Sequence, residues 1–344
     1  MAYTTIKNPS LYFNTKLYTG NGGTQSITGV GFQPDFTWIK KRNAVRNHNL
    51  FDAVRGVQKA VHSDSTDAEA TSANYLTAFG TDGFSVGSSS NVNANSDTYA
   101  SWNWKANGAG SANTDGSINS TVSVNTTAGF SIVKYTGTSS NATVGHGLGA
   151  VPKFIMAKRL TDAESWGTYH VSNGATKYMK LENTEVAQTG STVWENTPTS
   201  SVFSLGTSGL CNGSGKDMVA YCFAEKTGYS KFGKYAGNGN ADGTFVYTGF
   251  KPAFVIIKGA VSGDGNAAQN WELYDNKRIG HNPNNYTLFP NTTAVDSDND
   301  RIDLLSNGFK IRINSDGVND NNSTYIYMAF AEEPLVGDNP ATAR

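Results

Sequence analysis

One apolar phrase opened by proline occurs three times in this chain: GFQPDFTWIKKR at 31–42, GLGAVPKFIMAKR from Gly147 and GFKPAFVIIKG from Gly249. Self-similarity at a long period means repeated structural units, so this feature constrains the fold more than any other. Aligning the phrases puts Pro34, Pro152 and Pro252 in register. A tyrosine precedes each one, in KLYTGNGG, VKYTGTSS and GKYAGNGN, and the Tyr-to-Pro spacing is 16 or 17 residues each time. TYASWNWK at 98–105, DMVAYCFAE at 217–225 and TYIYMAFAE at 324–332 close the units, with Trp104, Phe223 and Phe330 equivalent.

The phrase itself reads as a strand. After each proline, positions +2 and +4 are Phe36 and Trp38, Phe154 and Met156, Phe254 and Ile256, while +5 is Ile39, Ala157 or Ile257. Side chains alternate across a pleat, so apolar groups at both parities predict a strand covered on two faces, inside a sandwich or against a neighbouring unit. Upstream of each closing strand, TDGFSVGSSSNVNANS, SVFSLGTSGLCNGSG and SNGFKIRINSDGVNDNN read as a strand and an Asn/Gly turn, making a hairpin with the closing strand. Aromatic and β-branched residues with abundant Gly and Asn fit short strands and tight turns. The expected fold is therefore all-β, three related antiparallel β-sandwich-like modules in tandem. The divisions are an N-terminal arm at 1–12, modules at 13–106, 129–226 and 227–333, a Gly/Asn/Ser/Thr-rich stretch at 107–128 that is either a linker or an exposed excursion with a short edge strand, and a tail at 334–344. Modules two and three adjoin almost directly and are expected to pack as a pair.

Charge is sparse and balanced: 27 Lys plus Arg against 28 Asp plus Glu, net −1. Such a surface has no long-range field to gather nucleic acid, and no run of 18 apolar residues offers a membrane span. The start, MAYTTIKNPS, lacks the basic and apolar regions of a secretory signal, which predicts synthesis in the cytoplasm. Cys211 and Cys222 fit neither a zinc site nor a redox pair and read as buried thiols. His48, His62, His146, His170 and His281 show no metal-ligand spacing. DSDND at 296–300 alternates oxygen donors yet lacks the glycine and bidentate glutamate of a helix-loop-helix calcium site. With no paired catalytic carboxylates, nucleophile elbow or phosphate loop legible, the reading is no enzyme, no cofactor and no metal. Carbohydrate binding is the function that a neutral, Asn-rich, aromatic surface permits; Trp166, Tyr169, Trp194, Trp271 and Tyr274 are the candidates, provided their rings face outward.

In combination, YFNTKLYTGNGG with GVGFQPDFTWIKKRN, FDAVRG at 51–56, TDGFSVGSS, TAGFSIVKYTG with VGHGLGAVPKFIMAKR, and GYSKFGKYAGNGNADGTFVYTGFKPAFVIIK with TYIYMAFAE resemble a family of tailed-phage virion proteins, of marine and cyanophage type, often labelled tail fibre or lectin-like domain proteins. The similarity covers essentially the whole chain and carries no catalytic residues. It implies a non-enzymatic virion structural protein, a compact capsid-surface decoration or tail-associated protein, or alternatively a host-glycan-binding tail fibre or adhesin component. It implies assembly in the host cytoplasm, other capsid or tail proteins as partners, and a homo-oligomer, a trimer being one arrangement.

Overall fold

The computed structural model describes residues 3–263, 268–279, 282 and 284–342. Among the described residues it is all-β: sheets packed face to face, with two one-turn α-helices and one 3-10 turn. Each module has an inner sheet of four strands with one topology. In module 1 the strands are Phe13–Thr19, Thr98–Trp104, Phe36–Lys41 and Asn49–Asp52, in that spatial order. Module 2 repeats this order with Phe130–Thr136, Asp217–Ala224, Pro152–Arg159 and Gly167–His170, and module 3 with Ser230–Ala236, Thr324–Pro334, Phe250–Val261 and Trp271–Asp275. The proline strand lies second from one edge in all three, paired on both sides. Pro152 and Pro252 sit where the register with the closing strand shifts, so the missing N–H interrupts a bulge and not a regular ladder.

Two-sided burial has a specific geometry. In each module one pleat face, carrying Ile39, Ile155 with Ala157, or Val255 with Ile257, packs under a smaller outer sheet in that module's own core. The other face, carrying Phe36 and Trp38, Phe154 and Met156, or Phe254 and Ile256, enters one core shared by all three modules. The three inner sheets thus close around a pseudo-threefold axis. At its centre the equivalent rings Trp104, Phe223 and Phe330 form a near-equilateral triangle, with centroids 6.2, 5.7 and 5.8 Å apart. Modules two and three are not a privileged pair; all three share this core.

Of the two readings of the segment 107–128, the edge strand is the one found: Ser111–Asn113 and Ser120–Asn125 extend the inner sheet of module 2 to six strands, because Val122 and Val124 supply an apolar face in register with Val133 and Ser131. The hairpin expected of the last two strands of each unit is corrected. Gly83–Val86, Val202–Leu205 and Gly308–Ile311 belong to the outer sheets, and the Asn-rich stretch carries the chain across the sandwich to the inner sheet.

That crossing is held by a buried asparagine in each copy, Asn93, Asn212 or Asn319. Its amide nitrogen donates to carbonyls of the preceding strand end and of the loop after the landmark tyrosine: Gly87 and Gly23, Gly206 and Ser140, Ile313 and Asn240. The landmark tyrosine completes the clamp. Tyr18, Tyr135 and Tyr235 donate to the carbonyls of Val92, Cys211 and Val318, each one residue before the asparagine.

The N-terminal arm docks on module 3, with Ile6 buried in the shared core and the Tyr3 hydroxyl donating to the Gly249 carbonyl at 2.7 Å. The tail folds back beside it, where Asp338 N donates to Lys7 O.

Candidate functional site

Polar and charged side chains concentrate at the three seams between modules, and equivalent positions make equivalent contacts around the axis. The inner edge strand of each module ends in a residue that reaches the next module. Asp52 accepts from Tyr221 Oη at 2.8 Å, and Asp275 accepts from Trp102 Nε1 at 3.0 Å. His170 Nε2, whose Nδ1 accepts from Ser172 N, donates to Tyr327 O at 3.2 Å. Burial holds the His170 imidazole down at about 4, so the ring is neutral at physiological pH and suits this one-donor, one-acceptor role.

Three residues after each aspartate stands an arginine. Arg55 pairs with Asp52 and, at 3.0 Å, with Glu69; Arg278 pairs with Asp275 at 2.6 Å and Asp296 at 2.9 Å. Asp296 also takes Arg42 of module 1 at 2.7 Å, which closes that seam. Burial raises the Asp275 carboxyl, but Arg278 and the N–H groups of Arg278 and Lys277 more than offset it, leaving Asp275 below the ordinary carboxylate range. Module 2 has the uncharged His170 and Asn173 at the corresponding positions. Asp296 is thus a structural counter-ion, and Asp298 and Asp300 lie in the strand Ser297–Leu305, so the DSDND stretch is not a loop folded around an ion. Among the described residues no group of three or more His, Cys, Asp or Glu is arranged to hold a metal.

All five candidate sugar-stacking residues are buried, each no more than 1% exposed, and none can offer a ring face to a sugar. The repeat explains why. Trp166 and Trp271 occupy one equivalent position, filled in module 1 by His48, and this position crosses the seam: Trp166 Nε1 donates to His62 O at 2.8 Å, Trp271 Nε1 to Lys180 O at 3.0 Å, and His48 Nε2 contacts Phe289 O at 3.2 Å. Tyr169 and Tyr274 are likewise equivalent and fill the cores of modules 2 and 3, as Phe51 fills that of module 1. Trp194 packs on Tyr169 and Phe203. The aromatic signal in the sequence is packing, not a platform. Of the histidines, His146 is buried beside Thr199 and Leu148, and His281 lies outside the described residues. Cys211 and Cys222 are free, buried thiols.

Among the described residues, two concave surfaces adjoin on module 2. An open depression of about 280 Å³ on module 2 is lined by Asn119, Ser120, Thr121, Lys134, Thr136 and Asp217. It adjoins a cleft of about 120 Å³ at the seam with module 1, which shares Lys134 and Asp217 and is lined also by Lys59, Glu69 and the edge of the buried Arg55. Their ionic groups already face one another, as in Lys134 with Asp217 at 3.6 Å and Lys59 with Glu69 at 3.7 Å.

A family model described as a domain of unknown function, DUF7483, matches residues 8–334, which takes in all three modules and the aligned landmarks. The chain belongs to this family. No curated protein and no solved structure matches it.

The reading of the sequence passed over three residues that recur within this DUF7483 domain. Lys40, Lys158 and Lys258 stand six residues after the aligned prolines and are fully buried. Each ammonium is held by one carbonyl of its own module, Arg46, Glu164 or Gln269, and one of a neighbour, Thr293 at 3.0 Å, Thr66 at 2.9 Å or Thr184 at 2.9 Å. The available signal was a lysine at the same place in three apolar strands. Burial is the main cause that holds Lys40 and Lys158 down at about 8 and Lys258 at about 7, against an ordinary 10.5, with nearby carboxylates opposing it.

A pH dependence follows. Between about pH 7 and 10.5 the unfolded chain binds more protons at these lysines than the folded one, so their contribution raises stability with pH across that window. Below pH 7 the full desolvation cost is present. Urea unfolding at pH 6.5 and 9.5 is expected to show a gain of roughly 2–3 kcal/mol per lysine at the higher pH. The gain should vanish in a variant with all three lysines changed to methionine.

Proposed function

We propose that the chain is a non-enzymatic structural protein of a phage virion, a compact body mounted on the capsid surface or associated with the tail. The observation that carries the reading is the use of its charged and aromatic groups. Asp52, Arg55, Asp275, Arg278 and the three seam lysines are buried, and their contacts join one module to the next. Three sheets sharing one aromatic core make a single packed block, and balanced surface charge suits a body packed among other proteins. The sequence resemblance supplies the virion setting. A glycan-binding role would have to use surfaces other than the aromatic residues first singled out.

Electron cryo-microscopy of the particle whose genome encodes the chain tests the proposal. Ordered density that fits the three-module body on the head shell or the tail is expected. Its absence from purified particles, combined with abundance of the protein in the infected-cell lysate, would overturn the reading.

A further inference from the structure

The three modules treat one equivalent sheet edge in three different ways. The first outer strand of each module is Gln25–Thr28, Ala142–Gly145 or Phe245–Tyr247, and each pairs along one side with the strand carrying Phe84, Phe203 or Phe309. Ile27, Val144 and Val246 face the module cores. In module 2 the other side of this strand is covered by the same chain. Ile118 forms a bridge with Val144, Ile118 N donates to Thr143 O at 3.0 Å, Thr143 N donates to Ser117 Oγ at 2.9 Å, and Ser120 Oγ donates to Gly145 O at 3.1 Å. In module 1 the edge carries polar groups at the flanking positions, Ser26 and Thr28.

Module 3 has Phe245 and Tyr247 at those same two positions, 43% and 55% exposed, and among the described residues no strand pairs with their open side. Tyr3, 37% exposed, lies next to Tyr247 through its bond to Gly249 and extends the apolar patch. An uncovered aromatic edge is what proteins ordinarily avoid, by charge, proline or cover. Modules 1 and 2 avoid it and module 3 does not.

We propose that the strand Phe245–Tyr247 is a self-association edge, at which two copies of this chain join antiparallel about Val246 into one continuous sheet. The backbone is set for it. Ile311 N donates to Thr244 O and Thr248 N to Asn307 O, so alternation along the ladder bonds Val246 to Phe309 and turns the N–H and C=O groups of Phe245 and Tyr247 to the open side. A twofold axis at Val246 places Phe245 opposite the partner copy's Tyr247 and the reverse. Four backbone hydrogen bonds then form, with two cross-strand aromatic pairs on the same face. A strand centred on its own symmetry point is complementary to itself, which is why a second copy is the fitting occupant. Charge does not oppose the approach: Lys310, opposite Phe245, is already paired with Asp242 at 2.8 Å, and the net charge is only −1. Gly308, opposite Tyr247, carries no side chain, and the Phe245 ring reaches over it.

The test is light scattering of the full chain over a concentration series, with the double variant Phe245→Ser, Tyr247→Thr, which installs the residues module 1 uses there. The wild type is expected to rise from 36.7 kDa towards twice that mass, while the variant stays monomeric or dissociates at least tenfold more readily with an unchanged melting curve. Amide exchange at Phe245 and Tyr247 should slow as wild-type concentration rises. If the double variant melts differently, Phe245→Lys alone gives the same reading by placing a charge on the edge. A wild type that stays at 36.7 kDa throughout, a dimer that persists in the folded variants, or a dimer in which these two amides stay unprotected would each overturn the proposal.

Discussion

Trp104→Ala is expected to cost about 3–5 kcal/mol and to lower the stability of all three modules together, because the ring it removes belongs to none of them alone. Trp104 packs within 6.2 Å, centroid to centroid, of Phe13 and Phe36 in module 1, Phe223 in module 2, and Phe254 and Phe330 in module 3. An alanine leaves a cavity on the pseudo-threefold axis whose walls belong to three sheets, and no single strand can shift inward to fill it. Chemical unfolding followed by near-ultraviolet and far-ultraviolet circular dichroism should therefore stay a single coincident transition, moved to lower denaturant. Trp104→Phe should behave quite differently. The Nε1–H of Trp104 is buried without a hydrogen-bond partner among the described residues, and modules 2 and 3 already place phenylalanine at the equivalent position. Relief of that unpaired donor offsets much of the lost volume, and the change should stay within about 1–2 kcal/mol of wild type. An alanine variant that unfolds in separate steps would mean that the modules are energetically independent despite their shared core.

Breaking a seam is expected to be nearly as costly. Arg278→Met leaves Asp275 buried with its counter-ion gone and should cost about 3–5 kcal/mol. The pair as a whole contributes far less than that, since desolvation of both charges offsets most of their attraction. Arg278→Met combined with Asp275→Asn should accordingly recover most of the loss, with the new amide oxygen still accepting from Trp102 Nε1. Module 2 is the precedent: its neutral His170 and Asn173 hold the corresponding seam positions without any ion pair. A double-mutant cycle in urea measures the coupling. Acid titration provides a second check. The folded-state pKa of Asp275 is depressed below the ordinary 3.8, so its contribution is present above that pH and is lost as pH falls through the lower folded value. The double variant should lack this portion of the acid loss. Equal stability of the single and double variants would show that Asp275 finds other compensation.

What the sequence determined by itself is the repeat and its strands. Proline phrases in register, a pleat period of two and Gly/Asn-rich breaks are local signals. They were sufficient for the fold class and for recognising that the strands around Trp38, Met156 and Ile256 are covered on both faces. They could not say what covers the second face. A strand apolar at both parities looks the same whether it lies inside one sandwich or against two neighbouring modules, because the distinguishing contacts join residues far apart in the chain, such as Tyr221 with Asp52 and Trp102 with Asp275. The candidate sugar residues failed for that reason: aromatic enrichment is equally the signature of a ligand platform and of a packed seam, and only the tertiary closure turned Trp166 and Trp271 inward. The segment 107–128 stayed open between a linker and an edge strand because polar, small-residue sequence is compatible with both, and pairing with 130–136 decided between them. The seam lysines were visible as letters in every copy of the opening phrase, but a lysine in an apolar strand acquires meaning only when a carbonyl from the next module arrives at its nitrogen. That arrival is set by how the three sheets pack around one axis, which no local stretch of the chain encodes.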